Sequence, residues 1–207
     1  MSEVPPVARA LAPVPLQVPP GAPGHVWLSK ARAIVSPNQD ERPEGVQVDT
    51  LILHHISLPP GYFAGDAIAR LFTNRLDAGA HPYFATIAGA RVSAHFLVRR
   101  HGGLLQFVAT DRRAWHAGVS RLGDRERCND FSIGIELEGD SMRDFTASQY
   151  RCLQGLIATL AAIHPLRDAA GHSDVAPGRK VDPGPRFVWE RIAGALATAG
   201  IVRHQRR

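Results

Sequence analysis

The sequence predicts an α/β fold: a single domain with a mixed central β-sheet flanked by α-helices. Three observations carry this expectation. Short β-rich apolar runs are interleaved along the chain with stretches of helical periodicity, an order that packs helices onto a sheet. Hydrophobic residues make up 44% and charged residues 21% of the chain, which is globular and excludes global disorder. At 207 residues the chain is one domain's worth, and it can bury a core without needing disulfides or a metal to fold.

The elements follow in order. Residues 1–24 are rich in Pro, Ala and Val. Pro5, Pro6, Pro13, Pro15, Pro19 and Pro20 interrupt every apolar stretch there, so no secretory signal is expected, and the segment reads as a flexible extension with polyproline character. The globular domain is expected over 25–201. Thr50 to Ile56, TLILHHI, is a short apolar run and reads as a buried strand. SLPPG breaks it, and Asp66 to Thr73 suits a short helix. Ala94 to Arg100 and Leu104 to Ala109 are strand-like runs around His-Gly-Gly, hence a hairpin. Phe131 to Gly139 alternates as a further strand. Thr146 with Gln149 three residues on is a capping box. Tyr150, Leu153, Ile157, Leu160 and Ala161 then recur at helical spacing to Ile163, and Pro165 ends that helix. A last helix is expected over Phe187 to Ala199, and 202–207 reads as a basic tail.

Composition excludes several classes. No apolar run approaches about 18 residues, so no transmembrane helix is expected. The two cysteines, Cys128 and Cys152, are too few for a disulfide scaffold and fit a reducing compartment. The net charge of +5 permits an anionic partner, but no nucleic-acid motif or stacking platform accompanies it.

Metal-type ligands fall in three segments: His54 and His55 on ILHHI, His172 in GHSD, and Asp182 in KVDPGP. Two imidazoles and a carboxylate are a common catalytic zinc set, although neither separation is a local metal motif. Strand alternation sends His54 and His55 to opposite faces, so only one of them can be a ligand. In IGIELEG the same alternation groups Ile133, Ile135 and Leu137 on one face and Gly134, Glu136 and Glu138 on the other. Glu136 is then either part of a solvent-facing pair of glutamates or a carboxylate on the floor of a cleft, suited to general-base work. Arg91, Trp115, His116, Arg125 and Arg127 lie in loop-like sequence. Arginine forks suit carboxylates and tryptophan suits a sugar face; the alternative is a solvated basic surface.

Together these segments resemble the AmpD-type 1,6-anhydro-N-acetylmuramyl-L-alanine amidases, within the wider zinc N-acetylmuramoyl-L-alanine amidase family that also contains phage lysozyme-like amidases and peptidoglycan recognition proteins. The resemblance runs from about Trp27 to Trp189, in the blocks HHISLPPGYF, LFTNRLDAGAHPYF, RVSAHFLVRRHG, RAWHAGVS, GDRERCNDFSIGIELEG and GHSDVAPGRKVDPGPRF. It implies a Zn2+ site in a cleft at the sheet's edge, held by His54, His172 and Asp182. It implies catalytic roles for Glu136 and for Lys180, two residues before Asp182. Ala94 stands where the wider family often has Tyr, which places the base role on Glu136. Arg91 and Arg127 match the arginines that hold stem-peptide carboxylates, Trp115 and His116 fall on the saccharide side, and His55 replaces an Asn common in AmpD-type enzymes, at a substrate contact.

The implied reaction is hydrolysis of the amide between the lactyl group of (1,6-anhydro-)N-acetylmuramic acid and L-alanine. The implied setting is cytoplasmic peptidoglycan recycling, with an indirect effect on β-lactamase induction. The expected partner is an anhydro-muropeptide substrate, without nucleic acid or membrane, and the expected state is a monomer. A non-catalytic peptidoglycan-binding module is the alternative, but relatives that lost catalysis typically lost a zinc ligand, and this chain keeps all three.

Overall fold

The computed structural model describes residues 24–205. The chain builds strands β1 (Arg32–Ala33), β2 (Gln39–Asp40) and β3 (Thr50–Ile56), then helices α1 (Ala67–Phe72) and α2 (Pro82–Ile87). Strands β4 (Phe96–Val98), β5 (Leu104–Gln106), β6 (Arg113–Ala114), β7 (Arg121–Leu122), β8 (Arg125–Glu126) and β9 (Ser132–Glu138) follow. Helix α3 (Ala147–Ile163), strand β10 (Asp168–Gly171), helices α4 (His172–Val175) and α5 (Glu190–Thr198), and strand β11 (Val202–Arg203) complete it.

The main sheet has seven strands in the order β1-β5-β4-β9-β3-β10-β11. From β4 to β11 neighbouring strands are parallel, β5 is antiparallel to β4, and β1 is parallel to β5. The sheet is therefore mixed, as expected. Parallel strands covered on both faces read as near-continuous apolar runs, and every residue of β9 is buried. β3 and β9 pair in register from Thr50 with Ser132 to Ile56 with Glu138.

One face of the sheet packs on α3 and α5. Leu53, Ile133, Ile135 and Leu137 meet Leu153, Leu156, Ile157, Leu160, Ile192 and Leu196 there. Full burial of each such side chain stabilises by about 1.5–3 kcal/mol. The opposite face carries Leu97, against Phe72, Phe84 and Phe107 from α1, α2 and the segment after β5. His54 and Glu136 are register partners, and Leu97 pairs with Glu136. All three therefore belong to this second face. α3 begins at Thr146 with the expected capping box, Thr146 Oγ1 accepting from the Gln149 N–H and Gln149 returning to the Thr146 N–H.

Two expectations change, and one open alternative is decided. The last helix starts at Glu190 rather than Phe187, because the Val188 N–H donates to the Tyr150 hydroxyl at 2.7 Å and the Phe187 ring packs against Phe145, Tyr150 and Trp189. The tail expected from 202 begins inside the sheet: Val202–Arg203 forms the edge strand β11 against β10, and the Arg203 guanidinium lies 3.6 Å from the centre of the Trp189 ring. The glutamates of β9 do not face solvent: Glu138 is buried and accepts from Arg99 Nε at 2.9 Å and the Arg100 N–H at 3.0 Å. The extension expected over 1–24 lies outside the described residues except for Gly24. Among the described residues, no helix is long and apolar enough to cross a membrane.

Candidate active site and metal centre

The parallel strands end together, and the candidate site lies at their carboxyl edge. β3 presents His54 there. β10 runs directly into α4, whose first residue is His172. The following loop brings back Asp182, and the Ser173 N–H donates to the Asp182 carbonyl at 2.8 Å, tying the loop to the helix. Gly171 is required at this junction: a Cβ there would stand 2.7 Å from Cδ of Pro183.

His54 Nδ1 lies 2.9 Å from His172 Nδ1, and Asp182 Oδ2 lies 3.1 Å from the first and 3.0 Å from the second. The donor atoms form a nearly equilateral triangle, and all three residues are buried. A zinc ion takes nitrogen and oxygen donors at about 2.0–2.2 Å, so one ion can reach all three. Burial, with the His172 ring alongside, pushes the His54 imidazole down to about 4, leaving it neutral with a lone pair free at neutral pH. Burial opposes ionisation of Asp182, but hydrogen bonds and charge from His172 and His54 outweigh it and hold the carboxyl well below the usual carboxylate range. Metal binding requires a carboxylate and neutral imidazoles, so an ion binding here would displace any proton held on the ring nitrogens that face the cluster. His172 Nε2 lies 3.1 Å from the Ala117 carbonyl oxygen. A carbonyl only accepts, so Nε2 carries a proton, and Nδ1 is the nitrogen turned to the cluster, where a bound ion would take its lone pair.

Glu136 stands next to this triangle, in register with His54. It is 9% exposed, and its Oε2 is buried without a hydrogen-bond partner. Burial, reinforced by the charge of Asp182 and opposed by Lys180, raises its pKa well above the ordinary glutamate value. Lys180 is exposed, yet its charge reaches both Glu136 and His54. His55 points away from the triangle, and its Nε2 meets Ser141 Oγ at 3.0 Å. His116 sits behind His54, its Nδ1 3.0 Å from His54 Nε2. Trp115 is half-buried and donates from Nε1 to Asp40 at 3.1 Å. Arg91 and Arg127 are exposed; Arg127 Nε lies 3.2 Å from Asp130. Arg125 is committed elsewhere, donating to Asp49 at 2.9 Å and to Asp168 at 3.2 Å.

The profile of the family described as N-acetylmuramoyl-L-alanine amidase matches residues 44–185. The chain belongs to this family. The 1,6-anhydro-N-acetylmuramyl-L-alanine amidase AmpD of Salmonella typhimurium (strain SL1344) is 51% identical over 173 residues, covering 83% of this chain and 92% of the relative. The crystal structure of a selenomethionine derivative of AmpD superimposes with a TM-score of 0.78 at 49% identity, covering 82% of this chain and 96% of that one. The complex of the Escherichia coli amidase AmiD with the substrate anhydro-N-acetylmuramic acid-L-Ala-D-γ-Glu-L-Lys superimposes with a TM-score of 0.54 at 27% identity, covering 78% of this chain and 61% of that one.

The amidase is a hydrolase of amide bonds, and its site is shaped by further residues whose roles the sequence did not assign. Gly134 shares the site face of β9 and pairs with Ile52; a Cβ there would lie 2.4 Å from Cγ of His116. A glycine inside an apolar strand signals such a close approach, and that signal was available in the sequence. Ser132, Asn129 and Ser141 had none. Asn129 Oδ1 accepts from the His116 N–H at 3.2 Å and the Ala117 N–H at 2.8 Å, so one side chain fixes the loop behind His54 and His172.

Proposed function

We propose that this amidase is a zinc hydrolase cleaving the amide between the lactyl group of 1,6-anhydro-N-acetylmuramic acid and the L-alanine of the stem peptide. The observation that carries the reading is the buried triangle of His54, His172 and Asp182 with the unpartnered Oε2 of Glu136 beside it. Half-identity to AmpD over most of both chains supports the substrate. His54, His172 and Asp182 hold the ion. The chemistry zinc supplies when bound is Lewis acidity, which polarises a carbonyl and makes water more acidic.

The chain's own residues do the rest. Glu136 takes a proton from the attacking water and returns it to the leaving amine of L-alanine. Its burial suits this role, because a raised pKa makes the carboxylate a stronger base than an exposed one. The Lys180 ammonium stabilises the negative charge that develops on the attacked carbonyl oxygen. Arg91 and Arg127 take stem-peptide carboxylates in bidentate pairs. Trp115 flanks the saccharide side, and His55 makes a substrate contact. The products are the anhydro-sugar and a free peptide.

This activity belongs to cytoplasmic recycling of peptidoglycan by a monomer, and its loss would raise the anhydro-muropeptide signals that feed β-lactamase induction. The free thiols of Cys128 and Cys152 fit a reducing compartment. The test is incubation of the protein with a purified 1,6-anhydro-N-acetylmuramyl tripeptide, with and without chelator, followed by mass spectrometry. Cleavage at the lactyl amide, abolished by chelator and restored by Zn2+, is the expected result. Intact substrate after zinc is restored, or cleavage indifferent to chelator, would overturn the reading.

A further inference from the structure

We infer that His116 is a positioning residue for the metal ligand His54: its Nδ1 accepts the Nε2–H of His54 and so holds His54 in the tautomer whose Nδ1 is free to bind the ion. The inference rests on the metal reading above. His54 Nδ1 is the atom that faces His172 Nδ1 and Asp182 Oδ2. For that atom to ligate, the ring proton must sit on Nε2, and Nε2 needs an acceptor. The acceptor present is His116 Nδ1 at 3.0 Å, with the two rings edge-on at 86°.

An imidazole, unlike a carbonyl, accepts at a given nitrogen in one neutral tautomer only. His172 needs no such provision, since its partner is the Ala117 carbonyl. His116 has one. Its Nε2 lies 3.3 Å from Ser132 Oγ, and that hydroxyl donates its own proton to the Cys128 carbonyl at 2.5 Å. The Ser132 oxygen is thereby left as an acceptor, the His116 proton is drawn to Nε2, and Nδ1 is exposed to His54. The donors run in one direction, from His54 to His116 to Ser132, and end on a backbone carbonyl. The backbone N–H of His116 donates to the Asn129 side chain, and Gly134 leaves the space that the ring occupies beneath it.

The deciding experiment measures Zn2+ affinity by competition with a chromophoric chelator and reads the His116 tautomer by nitrogen-15 NMR of the zinc-loaded wild-type protein. The His116→Leu variant fills the space but offers no acceptor. It should bind zinc roughly 10–100-fold more weakly, the usual loss for a removed outer partner. His116→Asn places a carbonyl oxygen near the Nδ1 position and should recover most of that affinity. The wild-type spectrum should show His116 protonated on Nε2 alone. Wild-type affinity in His116→Leu, equal losses in the Leu and Asn variants, or a proton on His116 Nδ1 would overturn the inference. The tautomer reading decides the matter even where His116→Leu fails to fold. Wild-type protein that binds no zinc would overturn the metal reading itself.

Discussion

Replacing Gly134 with alanine tests the packing behind the metal centre, because the sign of its effect depends on one ring. Alanine in a strand interior is ordinarily better than glycine by roughly 0.5–1 kcal/mol, since less backbone entropy is lost on folding. At Gly134 the new Cβ would lie 2.4 Å from Cγ and 2.6 Å from both Cδ2 and Nδ1 of His116, where ordinary contact begins at 3.4 Å. The ring must therefore retreat by 3.4 − 2.4 = 1.0 Å, which would stretch its 3.0 Å hydrogen bond to His54 out of range. Overpacking of this kind costs about 1–3 kcal/mol. For a domain of this size that is a fall of about 2–12 °C in Tm. The assay is thermal denaturation of metal-free protein, so that altered zinc binding does not contribute. Gly134→Ala should destabilise the wild type but be neutral or stabilising in a His116→Ala background, a coupling of the size adjacent residues show. A Gly134→Ala variant as stable as the wild type, or equal effects in both backgrounds, would refute the placement of His116.

Other residues separate the roles in the site. Glu136→Gln should keep zinc and lose about 10²–10⁴ in kcat, the value of a general base; loss of zinc instead would make Glu136 a ligand or support. The same variant has a pH signature. A buried carboxyl whose pKa is raised in the fold withdraws stability as pH rises through that pKa, so Glu136→Gln should melt higher than wild type above it, with the two converging in acid. Lys180→Ala should lower kcat and kcat/KM together while KM and zinc content hold, the pattern of an interaction made only in the transition state; a defect confined to zinc content would contradict it. Arg91→Ala and Arg127→Ala should raise KM for tripeptide substrates by the equivalent of about 1.5–3 kcal/mol, measured against a substrate lacking the side carboxylates, which should be unaffected.

The sequence by itself determined the elements whose signals are local. β3 is an apolar run, α3 has its capping box and periodicity, and the hairpin of β4 and β5 turns on His-Gly-Gly; each is written within a dozen residues or so. The candidate ligands were legible too, because His54, His172 and Asp182 sit in motifs that resemble those of an amidase. Other features belong to the tertiary structure alone. β10 is Asp-Ala-Ala-Gly, which has no β-branched residue and no periodicity. It is a strand because small side chains let it lie between β3 and β11. β11 is two residues long and exists through its pairing with β10. Glu136 was left between solvent and cleft by its alternation. Its raised pKa comes from burial under the elements packed over that face and, after that, from the charge of Asp182, distant in sequence. His116 read as a loop residue on the saccharide side, and only the meeting of β3, β9 and the loop after β6 shows both its ring nitrogens turned inward. A pattern of side chains along one segment records which face is apolar. It does not record which distant atom will satisfy a ring nitrogen, because that partner is chosen by the sheet's register and by the loops it brings together.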